Sequence, residues 1–173
     1  MDAYQKVESF PEQDLHDDAL MELGRFYLQI EDQTLALEIY LKFEGRFTTS
    51  ELLPEIRKTI IAIYTHQKEW QKLIDYYEEY VKKYPQSFQS IEFLFEIAKI
   101  KKSQLPNVVP MAKIKAFERV IEVEAKEVSD PGQRKWTPIC LWEIALLYES
   151  IDQHEESVQY FQKLIQDYPD SEY

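Results

Sequence analysis

Tyr64-Thr-His-Gln-Lys-Glu-Trp-Gln-Lys-Leu-Ile-Asp-Tyr-Tyr-Glu-Glu-Tyr-Val-Lys-Lys-Tyr-Pro85 and Tyr148-Glu-Ser-Ile-Asp-Gln-His-Glu-Glu-Ser-Val-Gln-Tyr-Phe-Gln-Lys-Leu-Ile-Gln-Asp-Tyr-Pro169 align without a gap, with their tyrosines and prolines in register. In each, a helix closes near a tyrosine and a short polar turn follows. An amphipathic helix with apolar residues three and four apart then runs to Tyr-Pro. One such helix pair cannot bury its apolar face alone, so its repetition predicts a stack in which neighbouring pairs cover one another.

Composition agrees with a helical stack. The 173 residues are 45% apolar and 14% aromatic, enough for a packed core. Three glycines, Gly24, Gly45 and Gly132, leave few positions for tight hairpin turns, Walker loops or dinucleotide fingerprints. A net charge of −12 excludes nucleic acid as the main ligand, because phosphate binding needs a basic surface. It favours a basic, amphipathic or helical protein partner. No apolar run is long enough to span a bilayer, and the start of the chain lacks the regions of a signal peptide, so the chain reads as soluble, in cytoplasm or periplasm. Cys140, the single cysteine, lies in an apolar run and reads as a buried thiol.

The spacing resembles the tetratricopeptide repeat family, which places a large apolar residue, Leu-Gly, Tyr, Ala, Phe and Pro at fixed offsets. Those places are Leu20, Leu23-Gly24, Tyr27, Ala36, Tyr40 and Thr48 in one repeat, then Arg57, Ile60-Ile61, Tyr64, Leu73, Tyr77 and Pro85. In the last repeat they are Leu141, Ile144-Ala145, Tyr148, Ser157, Phe161 and Pro169. A looser third repeat fits Ile91, Leu94-Phe95, Ala98, Phe117, Val120 and Ile121. The resemblance implies an all-α, right-handed α-α solenoid in a single domain of four helix pairs, over 17–50, 54–87, 88–128 and 138–171. A remnant helix over 1–11 makes nine helical segments. Insertions near 103–110 and 129–136 are expected on one edge of the stack. The Tyr-Pro-Gln-Ser and Tyr-Pro-Asp-Ser junctions are similar to those of bacterial envelope tetratricopeptide proteins, such as lipoproteins of the β-barrel assembly machinery. A segment of a larger protein of that type is one expectation.

In this family the first helix of each pair lines a concave surface. Carried over, the resemblance places Met21, Arg25, Lys58, Ala62, Glu92, Glu96, Trp142 and Leu146 along a partner-binding groove, with Phe93 beside them and Trp136 as a candidate lid on Trp142. A lysine-asparagine-arginine clamp for a terminal carboxylate is incomplete: Asn107, the only asparagine, lies in the insertion. An internal helix or extended segment with apolar anchors fits better. Lys99, Lys101, Lys102, Lys113, Lys115 and Arg119 form a basic cluster for an acidic partner, an anionic ligand or a membrane surface, or else simply solvate helix ends. His16, His66 and His154 are isolated and lack metal-ligand spacing. The expected function is a scaffold or adaptor holding a protein or peptide, with no catalysis, cofactor or metal. An assembly-core segment that associates or oligomerises through its end repeats is the alternative.

Overall fold

The computed structural model describes residues 17–173. The remnant helix expected over 1–11, and His16, lie outside the described residues. These form eight α-helices and one short 3-10 turn, with no strand among them. The chain divides between Glu69 and Trp70 into two compact units.

The first unit holds α1 (Asp17–Gln29), α2 (Gln33–Arg46) and α3 (Leu53–His66). α1 buries Leu20, Met21, Gly24 and Tyr27, one stripe at helical spacing, and α2 buries Ala36, Ile39, Tyr40 and Phe43. A Cβ on Gly24 would lie 2.4 Å from the Tyr40 ring, so the missing side chain is what lets the two helices approach. The turn between them is set by Glu31 in the left-handed region at φ 63°. Asp32 N donates to Tyr27 O at 2.9 Å, and the Asp32 carboxylate accepts from Leu35 N at 3.1 Å to start α2.

The second unit holds α4 (Trp70–Lys83), α5 (Phe88–Ser103), α6 (Pro110–Glu127), α7 (Thr137–Glu149) and α8 (His154–Asp167), each packed on the next. Tyr77 and Tyr80 of α4 bracket Phe93 of α5 at ring separations of 4.5 and 4.8 Å. Ile114, Phe117 and Val120 of α6 and Leu141, Ile144 and Ala145 of α7 are fully buried. At Tyr84-Pro85-Gln86-Ser87 the reason for the motif is visible: Ser87 N donates to Tyr84 O at 3.1 Å, and Ser87 Oγ accepts from Ser90 N at 3.1 Å as the cap of α5. The same first turn recurs at Tyr168-Pro-Asp-Ser171, where Ser171 N donates to Tyr168 O at 3.0 Å.

The two insertions occupy opposite ends of the α5–α6 hairpin, not one edge. The first is the six-residue loop 104–109, following the C-terminus of α5. The second, 128–136, returns to the N-terminus of α5, where Trp136 meets Phe88 at 4.9 Å. Loops alternate between the two ends whenever consecutive helices run antiparallel, so an extension within a pair and one between pairs are separated by the helix length, about 24 Å for α5.

Candidate functional site

α7 is the least ordinary of the described helices. In Thr137-Pro-Ile-Cys-Leu-Trp-Glu-Ile-Ala-Leu-Leu-Tyr-Glu149 only Glu143 and Glu149 are charged, so apolar residues occupy every side. One side is core: Thr137, Cys140, Leu141, Ile144, Ala145 and Leu147 are buried. The thiol of Cys140 is pushed up by that burial, and further by the charges of Glu124 and Glu143. The opposite side carries Ile139, Trp142 and Leu146, spaced three and four apart and half-buried, followed by exposed Glu149 on the same stripe.

The N-terminus of α7 is held by a carboxylate from another helix. Glu124 of α6 is 1% exposed and accepts from Lys135 N at 2.8 Å, Trp136 N at 3.0 Å and Thr137 N and Oγ1 at 2.7 Å each. An α-helix leaves its first N–H groups without intrahelical partners and concentrates partial positive charge there, which a carboxylate complements. The buried charge thereby fixes where α7 begins and how its faces are rotated.

Trp142 stands edge-on to Phe161 of α8 at 5.2 Å and lies 6.5 Å from Tyr173. The lid expected from Trp136 does not form: Trp136 is 3% exposed, packed at a tilt against Phe88 and capped by the Lys135 ammonium at 4.7 Å. Leu146 shares the outer stripe with Trp142. On α5, Glu92 is exposed and accepts from Gln89 Nε2 at 2.7 Å, while Glu96 is held by Lys99 at 2.8 Å. Glu143 is bound by Lys102, tying α7 to α5.

Two of the expected groove residues are interior. Met21 and Phe93 are each 4% exposed. The core stripe of α1 takes in Leu20 and Met21 together, and Phe93 fills the gap between Tyr77 and Tyr80; neither offers a face to a ligand. Arg25 is exposed but bonded to Glu22 at 2.6 Å and Glu55 at 2.8 Å, with its pKa raised first by Glu55 and then by Glu22. Lys58 and Ala62 are exposed on α3.

The basic cluster does not gather into one anion site. Lys99 pairs with Glu96, Lys102 with Glu143, and Lys113 donates to Lys102 O at 3.3 Å, closing the C-terminus of α5. Arg119 forks onto Glu78 of α4 at 2.6 and 2.8 Å, over a groove of about 550 Å³ that includes Val81, Pro85 and Val123. Lys101 is half-buried and Lys115 exposed. Ile139, Glu149 and Glu124 escaped the sequence reading. The first two stand at helical spacing from Trp142 and could have been found from the period of α7, whereas nothing local marks Glu124 among the surrounding glutamates.

The sequence profile of the tetratricopeptide repeat family matches residues 61–87 and 140–171. No curated protein matches the chain. Among solved structures, a crystal structure of MamA aligns with 95% of this chain and 84% of its own, at 23% identity and a TM-score of 0.54. MamA from Desulfovibrio magneticus RS-1 aligns with 91% of this chain and 78% of its own, at 11% identity and a TM-score of 0.52. The nearly identical TPR-like repeats of a kinesin light chain from Podosopora anserina align with 87% of this chain and 75% of their own, at 15% identity and a TM-score of 0.52. At these identities the structures speak for the fold alone, which is all-helical among the described residues. The profile falls on the two stretches that align with each other, so those two stretches are tetratricopeptide repeats.

Proposed function

We propose that the chain is a non-catalytic scaffold whose second unit binds a protein or peptide segment along the outer face of α7, against Ile139, Trp142 and Leu146. The fold supports a protein-interaction scaffold in general, and α7 supports the particular place. The observation that carries the reading is a helix apolar on every side whose second apolar face is left half-open. Helices of that composition are ordinarily enclosed, and an apolar stripe with a central tryptophan is the usual anatomy of a binding hot spot. Contact with Phe161 holds the Trp142 ring in one orientation, so little side-chain freedom is lost when a ligand covers it.

Trp142→Ala tests the reading when thermal unfolding and partner affinity are measured on the same protein. The expected result is a modest stability loss, from the Phe161 contact, together with more than about 2 kcal/mol of lost affinity. Unchanged affinity sinks the proposal. So does a collapse of stability that Trp142→Phe restores together with full binding.

A further inference from the structure

We infer that the segment taken by α7 is amphipathic with a basic flank: apolar residues three and four apart for Ile139, Trp142 and Leu146, and lysines or arginines beside them. The inference rests on the proposed binding face and adds its charge preference. Three observations carry it. The apolar stripe runs directly into exposed Glu149, so a ligand filling the stripe meets a carboxylate at its end. Residues 141–173, which form most of α7, its turn and α8, contain one lysine against eight acids. Finally, Lys102 is engaged by Glu143 and Lys99 by Glu96, while Glu92 on α5 is exposed and accepts from the Gln89 amide. α7 and α8 therefore offer a surplus of carboxylates, and two of the lysines on α5 are already paired. An acidic segment meets that surplus as repulsion; a basic one meets an attractive field that also speeds encounter. The apolar contacts supply affinity and the charges select among apolar segments.

Two synthetic helical peptides with identical leucine anchors, one with lysines on its polar flank and the other with glutamates, separate the possibilities by fluorescence anisotropy against the full chain. The expected result is roughly tenfold tighter binding of the lysine peptide at low ionic strength, a gap that narrows as salt screens it. The double variant Glu92→Lys, Glu149→Lys should remove or reverse that preference while its circular dichroism and unfolding midpoint stay at the wild-type values. Equal binding of the two peptides, with both lost in Trp142→Ala, overturns the charge inference and leaves the apolar face standing. Preference for the glutamate peptide also overturns it. Failure of either peptide to bind at all overturns the binding face and the inference with it. A lysine preference that survives the double variant places the contact elsewhere and overturns both.

Discussion

Gly24 and Glu124 each show one side chain, or the lack of one, deciding how two helices meet. The Tyr40 ring is 2% exposed and lies where a Cβ on residue 24 would sit, so Gly24→Ala forces a buried ring to move. Alanine gains roughly 1 kcal/mol of helix propensity over glycine, but overpacking a closed core costs about 1–3 kcal/mol, and a 2.4 Å approach belongs at the upper end. Net destabilisation by urea unfolding is therefore expected, even though the same change would stabilise an exposed helix. Glu124 presents the opposite problem, a buried charge kept in place by four donors. Glu124→Gln keeps the shape but turns an amide NH2 toward backbone N–H groups, so those donors lose their acceptor. A loss of about 3 kcal/mol is expected, with the denaturant slope unchanged. A loss below about 0.5 kcal/mol would mean that the α7 terminus is satisfied in some other way.

At the scale of the element, the turns repeat more faithfully than the helices. Glu31, Lys68 and Asp152 all adopt left-handed φ, at 63°, 55° and 58°. In each case the next residue donates its N–H to the repeat tyrosine carbonyl, of Tyr27, Tyr64 and Tyr148, at 2.9, 3.0 and 3.0 Å. This is a helix stop that glycine fills without steric cost, yet none of the three positions is glycine. Glu31→Gly and Asp152→Gly should each raise stability by roughly 0.5–1 kcal/mol, part of the relieved strain being offset by the freer unfolded chain. A lowered melting temperature for both would show that the side chains matter more than the backbone. The helices and these turns were legible because the repeat restates them: an aligned tyrosine marks each stop, and Tyr-Pro-x-Ser marks the end of one pair. Less legible was the rotation of each helix. A register counted from Ile91 separates Glu92 from Leu94 but assigns Phe93 poorly, because the neighbouring Tyr77 and Tyr80 decide whether that side chain is covered. The same holds for Met21, which becomes core because the buried stripe of α1 is two residues wide at that level. The candidate site was half visible. Trp142 and Leu146 follow from repeat position, but the closure of the basic cluster depends on glutamates brought from other helices, such as Glu78 and Glu143.

For the molecule as a whole, acid-rich composition and buried weak acids together set the pH range over which it holds. Burial raises the pKa of Cys140, with Glu124 and Glu143 adding to it, and burial likewise raises Tyr77 and Tyr160, reinforced by Glu96 and Glu92 in the first case and by the Glu118 hydrogen bond in the second. Each of these groups is neutral when protonated, and each binds its proton more tightly folded than unfolded. Their contribution is therefore complete below the unfolded pKa and is lost as pH rises above it toward the folded value. For a thiol that loss begins near about pH 8.5 and for phenols near about pH 10. Between those two points Cys140 is the group whose unfolded form titrates while its folded form does not, so unfolding free energy should fall by roughly 1.4 kcal/mol per pH unit on its account. Urea unfolding of wild type and Cys140→Ala across that interval isolates it: the variant starts lower because a small cavity replaces the sulfur, but its stability should stay flatter until the tyrosine range. Parallel pH profiles for the two proteins would mean that the thiol ionises in the folded state as freely as in the unfolded one. The alkaline slope would then belong to surface ammonium groups, whose loss of protons leaves the repulsion among the acidic side chains unopposed, and raising the salt concentration, which screens exposed charges but not a buried thiol, should flatten it in both proteins.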